Sequence, residues 1–66
     1  MEFHEKIKAY IVDHGIKQTF LAQKIGLTDY AFSDVLSGQR KLNAIEYYKL
    51  CQALGVPMEY FIEEER

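Results

Sequence analysis

A chain of 66 residues holds one small core and no room for the deep cleft most enzymes use, since a domain of roughly this size buries only about 60% of its unfolded surface. The 48% apolar and 27% charged fractions are those of a globular domain, which excludes disordered, collagen-like and low-complexity structure. Eight Lys and Arg against ten Asp and Glu leave a net charge of −2, without the basic excess that marks many nucleic-acid binders. No segment alternates apolar and polar residues long enough for a half-buried strand, and helical spacing appears instead. Phe3, Ile7, Tyr10 and Ile11 form one face of a first helix that Gly15 stops. Phe20, Leu21, Ala22 and Ile25 belong to a short second helix ending at Gly26. Thr28 is placed to cap a third helix, with Phe32, Val35 and Leu36 on its apolar side and Ser37-Gly38 at its end.

A polar loop over 38–43 follows, Gly-Gln-Arg-Lys-Leu-Asn. Asn43 and Glu46 have the spacing of a capping box for a fourth helix running to Leu54, with Ile45, Tyr48, Cys51 and Leu54 expected inward and Gly55 as its stop. Pro57 suits the first turn of a fifth helix whose apolar face is Met58, Phe61 and Ile62. The expectation is an all-α fold: one compact domain of five short helices over residues 1–66, without linker or repeat.

Charge is unevenly spread. Residues 1–13 carry −1 (Glu2, Glu5 and Asp13 against Lys6 and Lys8). Residues 14–50 carry +2, with Lys17, Lys24, Arg40, Lys41 and Lys49 against Asp29, Asp34 and Glu46. Residues 51–66 carry −3, from Glu59 and the Glu63-Glu64-Glu65 run against Arg66. An anionic partner should therefore meet the middle of the chain. The longest apolar run, Ala9-Tyr10-Ile11-Val12, is far short of the roughly 20 residues a membrane span needs. Met1 to Glu5 lacks the basic-then-apolar order of a signal peptide, and a lone Cys51 cannot form an internal disulfide, so a reducing cytoplasm is the expected compartment.

The informative stretch runs from Gln18 to Leu36. Helices two and three are separated only by the residues around Gly26-Leu27, so they must cross steeply, and Ala22 and Gly26 supply the small residues a close crossing needs. Gln18, Leu21-Ala22, Gly26, Thr28, Phe32, Val35, Ser37-Gly38 and Arg40-Lys41 occur in the order of a known pattern, with Leu50, Ala53-Leu54-Gly55-Val56 and Phe61 as its closing segment. The chain resembles the lambda-repressor/Cro-like, XRE-type helix-turn-helix family of prokaryotic and phage transcriptional regulators over about residues 7 to 62, with the helix-turn-helix at about 18–37.

The resemblance implies a small sequence-specific DNA-binding regulator, a repressor or Cro-like switch of phage or mobile-element type. Its third helix would lie in the major groove of double-stranded DNA, with Thr28, Asp29, Tyr30, Ser33 and Asp34 facing the bases. Gln18 would meet a phosphate at the N-terminus of helix two, where free N–H groups favour an anion. Lys17, Gln39, Arg40 and Lys41 would flank the DNA backbone, and Asn43 is a further phosphate candidate. A homodimer on a pseudo-palindromic operator is implied, with half-site centres about one helical turn apart. One phosphate for each of Lys17, Arg40 and Lys41 in both protomers would give a slope of about −5 for log K against log salt. No cofactor, metal or small-molecule ligand is implied.

Three positions depart from the family's habit in two ways. Asp29 and Asp34 stand where basic or neutral polar residues are frequent; a carboxylate can accept from cytosine N4 but repels phosphates. Lys17 replaces the usual Ser or Thr cap of helix two, exchanging a cap worth about 1 kcal/mol for a phosphate contact. These aspartates and the net negative charge also motivate a second reading, a protein-interaction module of the same fold: an antitoxin, anti-repressor or co-regulator with its acidic tail or fifth helix on a partner.

The remaining chemistry-bearing residues have plainer readings. His4 and His14 lie ten apart without a companion at ligand spacing, so surface histidines are expected rather than metal ligands. Cys51 reads as a small core residue. Tyr47-Tyr48 and Tyr60-Phe61 read as core, with any exposed member available to a dimer contact. The acidic residues of about 63–66 read as a solvated tail. No histidine accompanies a nucleophile and no glycine-rich phosphate loop occurs, so an enzyme is not expected.

Overall fold

A computed structural model describes residues 2–62. Four α-helices follow one another: α1 (Phe3–Asp13), α2 (Gln18–Ile25), α3 (Asp29–Ser37) and α4 (Ala44–Leu54), with a 3-10 turn at Met58–Phe61. The helix ends are written locally. The Thr28 hydroxyl accepts from the Ala31 N–H at 3.1 Å and opens α3. At α4 the capping box is complete: Asn43 Oδ1 accepts from the Glu46 N–H at 2.8 Å, and Glu46 Oε1 accepts from the Asn43 N–H at 3.1 Å.

Each helix contributes one buried side to a common core. Ile7 and Ile11 come from α1, Leu21, Ala22 and Ile25 from α2, Phe32, Val35 and Leu36 from α3, Tyr47, Leu50 and Cys51 from α4, and Phe61 closes the end. α3 packs on α1 and α2, α2 packs on α4, and the closing turn touches α1 and α4. One long side of α3 is thereby taken up by the core and the other is left outward.

The expected fifth helix is only this turn. Pro57 does precede it, and Tyr60 N–H donates back to the Pro57 carbonyl at 3.0 Å, an i to i+3 bond. By Ile62 the backbone is extended (φ −95°, ψ 124°), so no α-helical repeat develops. Phe61 reaches the core, whereas Met58 and Ile62, assigned with it to an apolar face, are exposed. The acidic run from Glu63 lies outside the described residues.

The inward face of α4 also differs from expectation. Ile45 and Tyr48 are 67% and 51% exposed, and the buried side is Tyr47, Leu50 and Cys51 with Leu54 packed beside them. At about 100° per residue, steps of three drift around the helix, so Ile45, Tyr48, Cys51 and Leu54 wind through about 180°. Spacings of three and four from Tyr47 to Leu54 stay on one side. Phe20 lies off the α2 core stripe, 47% exposed, with the Lys24 ammonium 5.4 Å from its ring centroid. Phe3 is also exposed, with its ring against Tyr47 at 5.4 Å. Of the two aromatic pairs expected inside, Tyr47 and Phe61 are buried and Tyr48 and Tyr60 are not. Among the described residues no helix is long and apolar enough to cross a membrane.

Candidate nucleic-acid interface

The turn between α2 and α3 is three residues, Gly26, Leu27 and Thr28. It closes because Gly26 takes a left-handed conformation (φ +78°), which turns the Leu27 N–H back onto the Ala22 carbonyl at 2.9 Å. Ala22 is fully buried, so its small side chain occupies the interior while its carbonyl anchors the turn. Thr28 then caps α3 through its hydroxyl.

This placement sets the outward side of α3. Thr28, Asp29, Tyr30, Ser33 and Asp34 are all exposed, Tyr30 at 86%, while Phe32, Val35 and Leu36 are buried. At about 100° per residue, Asp29, Tyr30, Ser33 and Asp34 fall within an arc of about 140°, with the three core residues on the opposite side. Ser37 shares that arc and is exposed, although the sequence suggested it only as a helix stop. Its i+3 and i+4 spacing from Asp34 and Ser33 was the available signal. The row carries two carboxylates and no cation.

At the other end of the motif, Lys17 and Gln18 are exposed at the start of α2. No side chain caps this N-terminus. Its first-turn N–H groups therefore retain the partial positive charge that favours an anion.

The loop after α3 is more tightly built than its polar sequence suggests. Gly38 holds φ +87°, and the Asp34 carbonyl accepts from the Gln39 N–H at 2.8 Å, the Arg40 N–H at 3.2 Å and the Ser37 hydroxyl at 3.2 Å. The His4 ring, half-buried rather than simply exposed, lies so close to Gly38 that a Cβ there would stand 2.8 Å from its Cε1 and 2.9 Å from its Nε2. The first turn of α1 thus backs the loop, and a cleft of about 420 Å³ opens there between Phe3, His4, Arg40 and Lys41.

Arg40 is not a loose surface cation. Its two Nη groups donate to both carboxylate oxygens of Glu46, at 3.1 and 3.2 Å, with side-chain exposures of 38% and 15% for the pair. The Arg40 fork, and next the Asn43 N–H, hold the Glu46 carboxyl below its ordinary range, and Glu46 in turn raises Arg40. The structure joins Arg40, Asn43 and Glu46 in one network. Gln39 and Lys41 lie exposed in the same loop, and Asn43, also exposed, has committed its side-chain oxygen to the α4 cap.

Away from this region, the Tyr47 hydroxyl donates to the Met58 carbonyl and ties α4 to the closing turn. Burial, and then the Cys51 thiol, push the Tyr47 phenol up to about 12. Burial likewise raises the Cys51 thiol, the opposite of what a reactive cysteine requires. His14 stacks on Tyr10 at 3.9 Å between ring centroids. Among the described residues, no three His, Cys, Asp or Glu come together as a metal site.

A sequence model of the family described as Helix-turn-helix matches residues 7–61, from within α1 through the closing turn. No curated protein matches the chain.

Proposed function

The chain belongs to this helix-turn-helix family, the XRE and lambda-repressor type of DNA-binding regulator, and from that premise we propose that it reads a specific DNA sequence through α3 set in the major groove. One observation carries the reading: the row Thr28, Asp29, Tyr30, Ser33 and Asp34 is exposed along one side of a helix whose other side is locked into the core. A helix anchored this way holds the row at a fixed position and register, which reading base edges requires. Lys17, Gln18, Gln39, Lys41 and Asn43 take the flanking phosphates, with Arg40 in the same loop. The 66 residues act as one domain in a reducing cytoplasm and bind as a homodimer to a pseudo-palindromic operator, as a repressor or Cro-like switch of phage or mobile-element type.

The test is selection of bound duplexes from a random-sequence pool at about 0.1 M salt, where non-specific attraction is partly screened. Enrichment of a two-fold related site supports the full proposal. A single half-site refutes the homodimer, and no enrichment refutes sequence reading.

One feature favours a second reading, a protein-interaction module: two carboxylates on the outward side of α3 with no cation among them. The double substitution Lys17→Glu with Lys41→Glu separates the two. It abolishes function if DNA is the ligand and leaves it intact if the ligand is a protein held elsewhere on the domain.

A further inference from the structure

Arg40 and Lys41 are adjacent in sequence, and both are natural phosphate ligands. Their surroundings differ. The Lys41 side chain is exposed, whereas the Arg40 guanidinium is forked onto Glu46 by two parallel bonds. A phosphate approaching Arg40 also approaches the Glu46 carboxylate, and the repulsion offsets the attraction. In counterion terms the pair is already neutral and releases little when DNA arrives.

The fork has a mechanical consequence. The loop from 38 to 43 is fixed at its start by the Asp34 carbonyl, which accepts from the backbone N–H of Gln39 and Arg40. It is fixed at its end by the Asn43–Glu46 capping box. Arg40 connects the two anchors, because its backbone belongs to the first and its guanidinium to the second. Lys41 and Leu42 lie between anchors that a single side chain holds together.

We propose that Arg40 is a positioning residue, whose fork with Glu46 fixes the 38–43 loop so that Lys41, not Arg40, carries the loop's charge to the DNA backbone. The proposal rests on the DNA-binding reading above. It alters the expected electrostatics: Lys17 and Lys41 alone, in two protomers, give a slope of log K against log salt of about −4 rather than about −5.

The experiment compares wild type, Arg40→Gln, Arg40→Lys and Lys41→Gln in the full chain. Two quantities are read: the salt dependence of binding to the selected duplex, and amide hydrogen exchange at Arg40 and Asn43 without DNA. Lys41→Gln is expected to flatten the slope by about 0.9 per protomer. Arg40→Gln and Arg40→Lys are both expected to weaken binding, on the order of tenfold, through misplacement of the loop. Both should keep the wild-type slope, and both should speed exchange at Asn43, whose N–H bonds to Glu46. Lysine keeps the charge but has no planar fork, so a positioning role is lost where a phosphate contact would be kept. A slope flattened in Arg40→Gln as much as in Lys41→Gln, with Arg40→Lys binding like wild type, overturns the proposal. Unchanged Asn43 exchange in Arg40→Lys overturns it as well, whether or not DNA binds. A wild-type chain that binds no duplex removes the DNA reading instead, and the exchange data then judge the positioning role alone.

Discussion

Gly38 is where the backbone and a distant side chain both demand glycine, and substituting it separates the two demands. Its φ is +87°, and a Cβ would stand 2.8 Å from the His4 ring. Gly55 is the natural control, at φ +74° with nothing within 4 Å of its Cβ position. Alanine at either position pays the left-handed penalty of about 1–2 kcal/mol, offset by about 0.4–1 kcal/mol from a stiffer unfolded chain. Only Gly38→Ala must also move the His4 ring. That ring is the far end of a rotatable side chain, so the added cost is that of an off-rotamer shift, about 0.5–1.5 kcal/mol. Gly38→Ala should therefore be less stable than Gly55→Ala by that amount. At about 4–8 °C per kcal/mol for a domain of this size, thermal unfolding by circular dichroism resolves the difference. In a His4→Ala background the excess should vanish, leaving Gly38→Ala equal to Gly55→Ala. Equal Tm losses for the two single substitutions, or an excess that persists without His4, would refute the view that the first turn of α1 supports the loop.

Four further outcomes follow from the same geometry. Asn43→Ala removes the acceptor for the Glu46 N–H and should cost about 1 kcal/mol in urea unfolding, while Asn43→Gly should cost only a few tenths. The Glu46 carboxyl is lowered from its ordinary 4.5, first by Arg40. Its contribution is therefore present above pH 4.5 and lost as pH falls through the folded-state value, so Glu46→Gln should flatten the acid side of the stability profile. The Tyr47 phenol, raised from 10.0 to about 12, keeps its proton in the folded chain while the unfolded chain loses it. Stability from this site therefore falls as pH rises from 10 to about 12, and Tyr47→Phe should reduce that fall; an unchanged alkaline profile would count against the burial of the phenol. Tyr30→Ala should change stability by less than about 0.5 kcal/mol at so exposed a site. Its affinity for the selected duplex should drop by the 1–3 kcal/mol typical of a base contact, and unchanged affinity in a filter-binding titration would remove Tyr30 from the base-facing row.

Helix boundaries were legible because single residues encode them. Thr28 and Asn43 carry oxygens that accept first-turn N–H groups, and Gly26 supplies the left-handed residue that the α2–α3 turn requires. The two sides of α3 were legible for a related reason: a nine-residue helix with Phe32, Val35 and Leu36 has only one way to bury all three. The inward side of α4 was misread because Ile45 and Tyr48 are as apolar as the residues that are buried, and neighbouring helices decide between the two stripes. His4 was misread because its partner, Gly38, is remote in sequence. The Arg40–Glu46 fork spans a loop–helix boundary at a separation of six, which matches no helical periodicity. One Glu46 carboxylate serves both the capping box and the fork, so the contact ties the loop to the start of α4.

That fork changes what the charge count means. With Arg40 and Glu46 cancelling each other, the +2 of residues 14–50 belongs to Lys17, Lys24, Lys41 and Lys49 against Asp29 and Asp34. The total is unchanged, but its arrangement is now definite: none of these four lysines lies on α3, and both carboxylates do. On the proposed reading, the flanks attract any DNA and α3 repels any DNA. The repulsion is relieved only where a base offers a donor, as cytosine N4 does in the major groove. Non-specific complexes then bear the full carboxylate repulsion, and a matching site bears less of it. On that reading Asp29 and Asp34 lower non-specific affinity more than specific affinity, and the ratio of the two, on which selection among many competing sites depends, rises even as overall attraction falls.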